Sequence, residues 1–190
     1  MFIFIYLGFA LIYLVCAYFI LERVRKDYAA HGSLHKPTSN LEVVMFFLHG
    51  CLIGLSYGAI DSWPPASPFS AIVILGVGLA LIGLGKLLAA LRVFGPFWRM
   101  LGLNVEGLKQ AGIYRRSRNP QLVGYWLMVL AIPIVWPSWY AFASVLLYWP
   151  MAHRMVLIEE QHLTAQFGEE YLEYCRQTPR YIGRATFKIG

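Results

Sequence analysis

Charged residues are scarce in this chain. Only 14% of its 190 residues are Asp, Glu, Lys or Arg, whereas 58% are hydrophobic and 16% are aromatic. Soluble domains average about 25% charged residues, so the composition excludes a long soluble domain. The three cysteines are isolated and none has the Cys-x-x-Cys spacing. A disulfide framework and a thiolate metal site are therefore not expected.

Five apolar segments make up most of the sequence. They span residues 2–21, 41–60, 69–91, 121–136 and 138–157. A helix needs roughly 20 such residues to cross a bilayer, and the fourth segment is short of that length. The pattern predicts an all-α fold, namely a polytopic membrane helix bundle of about five transmembrane helices with a cytoplasmic C-terminal helical extension. We expect residues 1–190 to form a single integral membrane domain.

Positive charge is missing from two of the connections between these segments. Residues 61–68 and 137 contain no Lys or Arg, and nearly all of the 16 basic residues follow the first and third segments or lie in the C-terminal tail. Loops rich in Lys and Arg stay in the cytoplasm. We therefore expect the N-terminus outside and the C-terminus in the cytoplasm. The net charge of +6 fits contact with anionic membrane lipids, and no nucleic-acid partner is expected.

The histidines offer no strong metal-binding pattern. His31 and His35 stand four apart, which suits a metal on a continuous helix, but the glycine between them and the nearby proline favour a solvated loop. Glu159-x-x-His162 resembles half of a di-iron site, and no second Glu-x-x-His occurs. His49, within the second apolar segment, is interpreted as a hydrogen-bonded packing residue. No metal site is predicted.

The segment before the fourth apolar stretch is unusually polar. It reads Gly112-Ile-Tyr-Arg-Arg-Ser-Arg-Asn-Pro120. Asn119 is among the preferred helix N-caps and Pro120 suits the first helical position, so the simplest interpretation is a helix start. Arg115, Arg116 and Arg118 are then explained by contact with lipid headgroups.

The fifth apolar segment extends this polar region. A helix from residue 138 to residue 167 would measure ~45 Å at 1.5 Å per residue, which exceeds a hydrocarbon core of ~30 Å. Its last turns would place Glu159 and Glu160 near the depth of Arg118. Gly168 fits a helix stop, and residues 169–177 can form a short second helix. Alternatively, the glutamates belong to a solvated helix surface and the tyrosines that follow to an interfacial belt.

These motifs together resemble a known group. Gly-x-Tyr-Arg-x-x-Arg-x-Pro-x-x-x-Gly at 112–124 is followed by Glu159-Glu160, Phe-Gly-Glu-Glu-Tyr at 167–171 and Tyr-x-x-x-x-Pro-Arg at 174–180. Their order and spacing resemble the isoprenylcysteine carboxyl methyltransferase and phospholipid methyltransferase superfamily. The resemblance covers about residues 93–182, the catalytic signature region.

The resemblance implies an S-adenosyl-L-methionine-dependent methyltransferase whose site lies at the cytoplasmic membrane face. Its acceptor would be a lipophilic small molecule or lipidated substrate entering from the bilayer, methylated on a carboxylate, amine, hydroxyl or thiol. By the same resemblance the catalytic residues are Arg118, Glu159 and Glu160. The cofactor-binding residues it implies are Tyr114, Arg115, Arg118, Asn119, Pro120, Gly124, Glu159, Glu160, Tyr171 and Tyr174. Asn119 stands where the family usually has a histidine.

Two other functions fit the sequence. An NADPH-dependent membrane reductase of the sterol-reductase type has a similar Arg-x-Pro-bearing tail, and the loops here offer arginines for a 2′-phosphate. A non-enzymatic bundle that binds lipid or a partner protein needs no cofactor. The sequence specifies neither the acceptor nor the oligomeric state, and an additional interfacial helix around residues 97–103 remains open.

Overall fold

Helices are the regular elements of the computed structural model, which describes residues 1–58, 70–95, 102–103 and 107–185. The helices are α1 (Phe2–His31), α2 (Lys36–Tyr57), α3 (Ala71–Phe94), a short 3-10 helix (Gly112–Arg115), α4 (Pro120–Val135), α5 (Trp139–Phe167) and α6 (Glu169–Gln177). These ranges contain no strand, and the predicted all-α bundle is confirmed. The interfacial helix considered at 97–103 lies largely outside the described residues.

Four of these helices are long and apolar enough to cross a membrane. By length and composition, α1, α2, α3 and α5 qualify within the part of the chain that was searched. α4 has 16 residues, which gives about 24 Å at 1.5 Å per residue, less than the ~30 Å hydrocarbon core. α3 directs Ile72, Ile74 and Leu75 outward, each more than half exposed. A helix that exposes its apolar residues in this way is suited to lipid.

The predicted helix ends near the C-terminus are confirmed, whereas the first helix is longer than its apolar segment. α1 continues from the apolar run to His31, because residues 22–31 contain neither Gly nor Pro, and it ends at Gly32, whose φ is 67°. α5 runs to Phe167, Gly168 follows with φ 52°, and α6 covers Glu169–Gln177. The long α5 and the short α6 thus follow from the position of one glycine.

α3 and α4 are in close backbone contact, and two glycines make this possible. A Cβ built on Gly83 would lie 2.5 Å from the carbonyl oxygen of Gly124, and one on Gly124 would lie 2.6 Å from the carbonyl oxygen of Gly83. Small residues of this kind allow membrane helices to approach closely. Gly124, expected at the cofactor, therefore lies at a helix–helix contact.

A buried histidine links three helices in the core. His49 of α2 shares one hydrogen bond of 2.9 Å with the hydroxyl of Tyr125 in α4 and another of 2.9 Å with the carbonyl oxygen of Ser144 in α5. Both ring nitrogens are thereby used. The prediction of a hydrogen-bonded packing residue is confirmed.

Candidate active site

The polar loop before α4 is attached to the segment that follows α6. The backbone N–H of Arg118 donates to the carbonyl oxygen of Pro179 at 2.9 Å. The side-chain amide of Asn119 donates to the carbonyl oxygen of Arg180 at 3.0 Å. Pro120 begins α4 as predicted, but the Asn119 side chain makes no N-cap hydrogen bond. Its amide is used instead to join the two chain segments.

Glu160 binds two arginines from different parts of the chain. Its Oε1 lies 3.0 Å from Nη1 of Arg118. Arg180 donates from Nε to Oε1 at 2.9 Å and from Nη2 to Oε2 at 2.5 Å, the paired geometry that makes arginine–carboxylate contacts strong. The hydrogen bond to Glu160 raises the pKa of Arg180. The three side chains form an ion triad at the end of α5.

α6 covers the other side of Arg118. Nη1 of Arg118 donates to the hydroxyl of Tyr171 at 3.5 Å and to the sulfur of Cys175. The hydroxyl of Tyr174 donates to the carbonyl oxygen of Tyr114 at 2.7 Å. Burial raises the pKa of Tyr171 and of Cys175. Both groups therefore stay protonated and uncharged near neutral pH.

A cavity lies beside this triad. Its empty space, including its open mouth, is about 840 Å³. Seven of the ten residues predicted to bind a cofactor line it: Tyr114, Arg118, Asn119, Glu159, Glu160, Tyr171 and Tyr174. The structure thus brings the predicted catalytic arginine and both glutamates to one cavity.

The other three predicted residues lie elsewhere. Arg115 is exposed and does not line the cavity. Pro120 is buried at the start of α4, where its role is to begin the helix. Gly124 lies at the contact with α3. The structure therefore gives these three positions no contact with the cavity.

Glu159 differs from its neighbour in having no positive partner among the residues that the structure describes. It lines the cavity in a half-buried position and interacts electrostatically with Glu160 and with Glu42 of α2, which is only 2% exposed. Within the described residues, no Lys or Arg forms an ion pair with Glu159 or Glu42. Buried carboxylates are usually paired with a positive group. The wall at Glu159 is therefore suited to a positively charged ligand group.

Two buried polar atoms at the cavity lack a hydrogen-bond partner among the described residues. They are Nε of Arg118 and Nε2 of His162, and both residues line the cavity. The His162 ring stacks on Tyr28 of α1, with centroids 4.2 Å apart and planes 12° apart. Most buried polar groups in proteins are satisfied, so these atoms are available to a ligand or to water.

Sequence reasoning missed several residues of this site. Arg180 was part of the quoted Tyr-x-x-x-x-Pro-Arg motif, so its spacing after Tyr174 was a signal that could have identified it. Tyr28 and Glu42 come from α1 and α2, which lie outside residues 93–182, the region that the family resemblance covers. Nothing in their local sequence connects them with a site whose other residues begin at Phe94.

The described structure is an all-α membrane bundle with a polar cavity where its apolar helices end. The family model described as phospholipid methyltransferase matches residues 71–170, which is more than half of the chain. The chain therefore belongs to the phospholipid methyltransferase family, and the resemblance to this superfamily is confirmed. Membership supports a membrane methyltransferase in general. No curated protein and no solved structure matches the chain.

The matched region covers only part of the cavity. It contains α3, α4, α5 and the beginning of α6, and with them Arg118, Glu159 and Glu160. Tyr174 and Arg180 lie beyond its end. The site is therefore formed by the matched region together with Tyr28 of α1, the rest of α6 and the tail that follows it.

Proposed function

We propose that this protein is an S-adenosyl-L-methionine-dependent methyltransferase that acts on a lipophilic acceptor at the cytoplasmic face of a membrane. The observation that carries the proposal is the convergence of Arg118, Glu159 and Glu160 on one cavity, in a chain of the phospholipid methyltransferase family. The acceptor group would be a carboxylate, amine, hydroxyl or thiol.

The chemistry of the cavity wall fits this cofactor. S-adenosyl-L-methionine, when bound, supplies an electrophilic methyl group on a positively charged sulfur. Glu159, which has no cationic partner among the described residues, would hold a positively charged group. Nε of Arg118 would donate to an anionic one. The tyrosines of the lining, such as Tyr171, would offer aromatic faces to the adenine ring.

The depth of the cavity also supports the proposal. Glu159 lies ~30 Å along α5 from Trp139 at 1.5 Å per residue, close to the thickness of the hydrocarbon core. An acceptor with an apolar tail could therefore keep the tail in lipid while its polar end reaches the cavity.

The proposed orientation follows from charge. The polar ends of α5 and α6 are continuous with the basic C-terminal tail, and the positive-inside rule therefore supports a cytoplasmic cavity and an N-terminus outside. In this site, Arg118 and Glu160 would fix the wall through their ion pair. Tyr171 and Tyr174 would exclude water on the α6 side.

A ligand-binding measurement tests the proposal. The full-length protein in detergent is titrated with S-adenosylhomocysteine and, separately, with NADPH, and its unfolding temperature is followed. Stabilisation by S-adenosylhomocysteine alone is expected, because only a ligand that binds the folded state raises that temperature. Stabilisation by NADPH alone would favour the reductase, and no effect of either would favour a non-enzymatic bundle.

A further inference from the structure

A second cluster of ligand-type side chains lies outside the cavity, at the turn between α1 and α2. Asp27, His31 and His35 each offer one ligand atom there, and these atoms all lie within 4.8 Å of one another. We propose that this triad binds one divalent transition-metal ion of the zinc type. The proposal does not depend on the proposed methyl transfer.

The fold brings the three side chains together in a way that the sequence spacing alone does not indicate. Asp27 and His31 lie one helical turn apart near the end of α1. Gly32 then adopts the left-handed conformation, with φ 67°, and reverses the chain. His35, the residue before α2, is thereby brought next to Asp27. Its backbone N–H donates to Oδ2 of Asp27 at 3.2 Å, and its Nδ1 lies 3.4 Å from the same oxygen.

The donor set selects the class of ion. Two imidazoles and one carboxylate are typical of zinc and related metals, usually with an open fourth position. Magnesium and calcium prefer oxygen ligands. The neighbouring positive residues, among them Lys26 and Lys36, would also repel a cation that is bound only by electrostatic attraction. Direct coordination by imidazole nitrogen is therefore the interaction that this turn can offer.

The geometry requires only a small adjustment. A tetrahedral zinc ion with ligands at ~2.0–2.1 Å places those ligands about 3.3 Å apart. The rings of His31 and His35 are already in edge-to-face contact, with centroids 4.2 Å apart. Both histidines are exposed, so their side chains can rotate without disturbing the core. An ion would replace the present hydrogen bond between His35 and Asp27.

The side chain of Asp27 is held in place by residues that would not themselves bind the ion. The side chain of Thr38, at the beginning of α2, interacts electrostatically with Asp27 and accepts a hydrogen bond of 3.1 Å from Nε of Arg23. Such outer-shell partners orient ligands in known metal sites. Thr38 is fully buried, which fixes its position. Asp27 is thus held on the side where both histidines can reach it.

The position of the triad gives the ion a structural role. It would join the last turn of α1 to the first turn of α2. Tyr28, next to Asp27, lines the cavity. The backbone N–H of Leu34 donates to the carbonyl oxygen of Gly102, another lining residue, at 2.9 Å. Metal binding should therefore stabilise this part of the cavity wall.

Metal binding is tested on the full-length protein in detergent, purified without a polyhistidine tag and freed of metal with a chelator. Competition for Zn²⁺ against a chromogenic chelator should show one ion per chain. His31→Ala and His35→Gln should each weaken binding by at least about tenfold, the lower limit for losing even an outer-shell partner. The control is His153→Ala, whose histidine hydrogen-bonds to Tyr181 at 2.8 Å and should leave the affinity unchanged.

Cobalt provides a second measurement. Co²⁺ bound by imidazole in a tetrahedral site has visible absorption bands, which should appear in the wild type and in His153→Ala and be absent in His31→Ala. Zn²⁺ should also raise the unfolding temperature of the wild type but not of His31→Ala. Equal Zn²⁺ affinity in the wild type, His31→Ala and His35→Gln would overturn the proposal.

Discussion

Arg118 and Glu160 pair a loop with a helix: Nη1 of the arginine, just before α4, lies 3.0 Å from Oε1 of the glutamate in α5. Arg180 binds the same carboxylate through two hydrogen bonds. The side chains of Arg118 and Glu160 are only 4% and 11% exposed, so this pair is largely shielded from water. One carboxylate therefore holds together the loop before α4, the end of α5 and the tail after α6.

Removing the charge of Glu160 should destabilise the fold. Glu160→Gln would leave two guanidinium groups facing each other without a carboxylate. We expect the free energy of unfolding to fall by about 3 kcal/mol, the typical cost of removing one partner of a buried ion pair. Titration with a denaturing detergent, followed by circular dichroism, measures the change. Glu173→Gln is the matched control, because Glu173 pairs with Arg176 on the exposed face of α6; an equal loss in both variants would contradict the prediction.

Glu159 should contribute to binding and not to stability. Glu159→Gln keeps the size of the side chain and removes a charge that has no cationic partner among the described residues. We expect no loss of unfolding free energy, while the dissociation constant for S-adenosylhomocysteine rises about tenfold, equivalent to about 1.4 kcal/mol. Isothermal titration calorimetry measures the constant, with the exposed Glu169→Gln as control. Unchanged affinity in Glu159→Gln would remove Glu159 from the binding site.

Two glycines of α3 should respond differently to the same substitution. A methyl group on Gly83 would lie 2.5 Å from a backbone oxygen of α4, whereas one on Gly85 would meet no atom within 4 Å. Gly83→Ala should therefore cost about 1–3 kcal/mol of unfolding free energy through overpacking. Gly85→Ala should be neutral or stabilising by up to about 1 kcal/mol. Detergent denaturation of both variants checks the difference; equal stabilities would contradict the close contact between α3 and α4.

The tyrosines of the site should make the protein sensitive to alkali. Burial raises the pKa of Tyr114, Tyr171 and Tyr174 above the ordinary value of 10.0. The folded chain therefore keeps these protons at a pH where the unfolded chain loses them. Their stabilising contribution is complete below about pH 10 and is lost as the pH rises through the folded-state pKa values.

Tyr174→Phe measures the contribution of one tyrosine to this sensitivity to alkali. It removes the 2.7 Å hydrogen bond to the carbonyl oxygen of Tyr114, so we expect a loss of about 1 kcal/mol at pH 8. It also removes one of the groups that titrate, so the unfolding temperature should fall less steeply above pH 10 than in the wild type. Thermal unfolding between pH 8 and pH 11.5 measures both. If the unfolding temperature of Tyr174→Phe fell as steeply above pH 10 as that of the wild type, Tyr174 would not contribute to the sensitivity to alkali.

The C-terminal helices could be predicted from the sequence because their signals are local. Gly168 ends α5, and the following residues form α6 over Glu169–Gln177. The end of α1 was not predicted from hydropathy, since its last ten residues include most of its charged side chains yet continue as a helix to His31. Hydropathy identifies the part of a helix that suits lipid, not the whole helix.

The sequence predicted only those site residues that belong to the motifs of the family resemblance. Arg118 and the two glutamates were identified because they belong to an ordered set of fragments. The contribution of Arg180 depends on a chain reversal that returns it to Glu160. Tyr28 reaches the cavity by packing against α5, a contact between distant parts of the chain. Contacts of this kind depend on tertiary packing, and hydrophobic periodicity carries no information about them.

Transfer of a labelled methyl group tests the central claim most directly. The purified wild-type protein is incubated with a native lipid extract and isotopically labelled S-adenosyl-L-methionine, and the lipids are analysed by mass spectrometry. We expect the label in at least one lipophilic product, with less label from Glu159→Gln and an undiminished amount from Glu169→Gln. Lipids that remain unlabelled with folded wild-type protein, or equal labelling by Glu159→Gln and the wild type, would contradict the account.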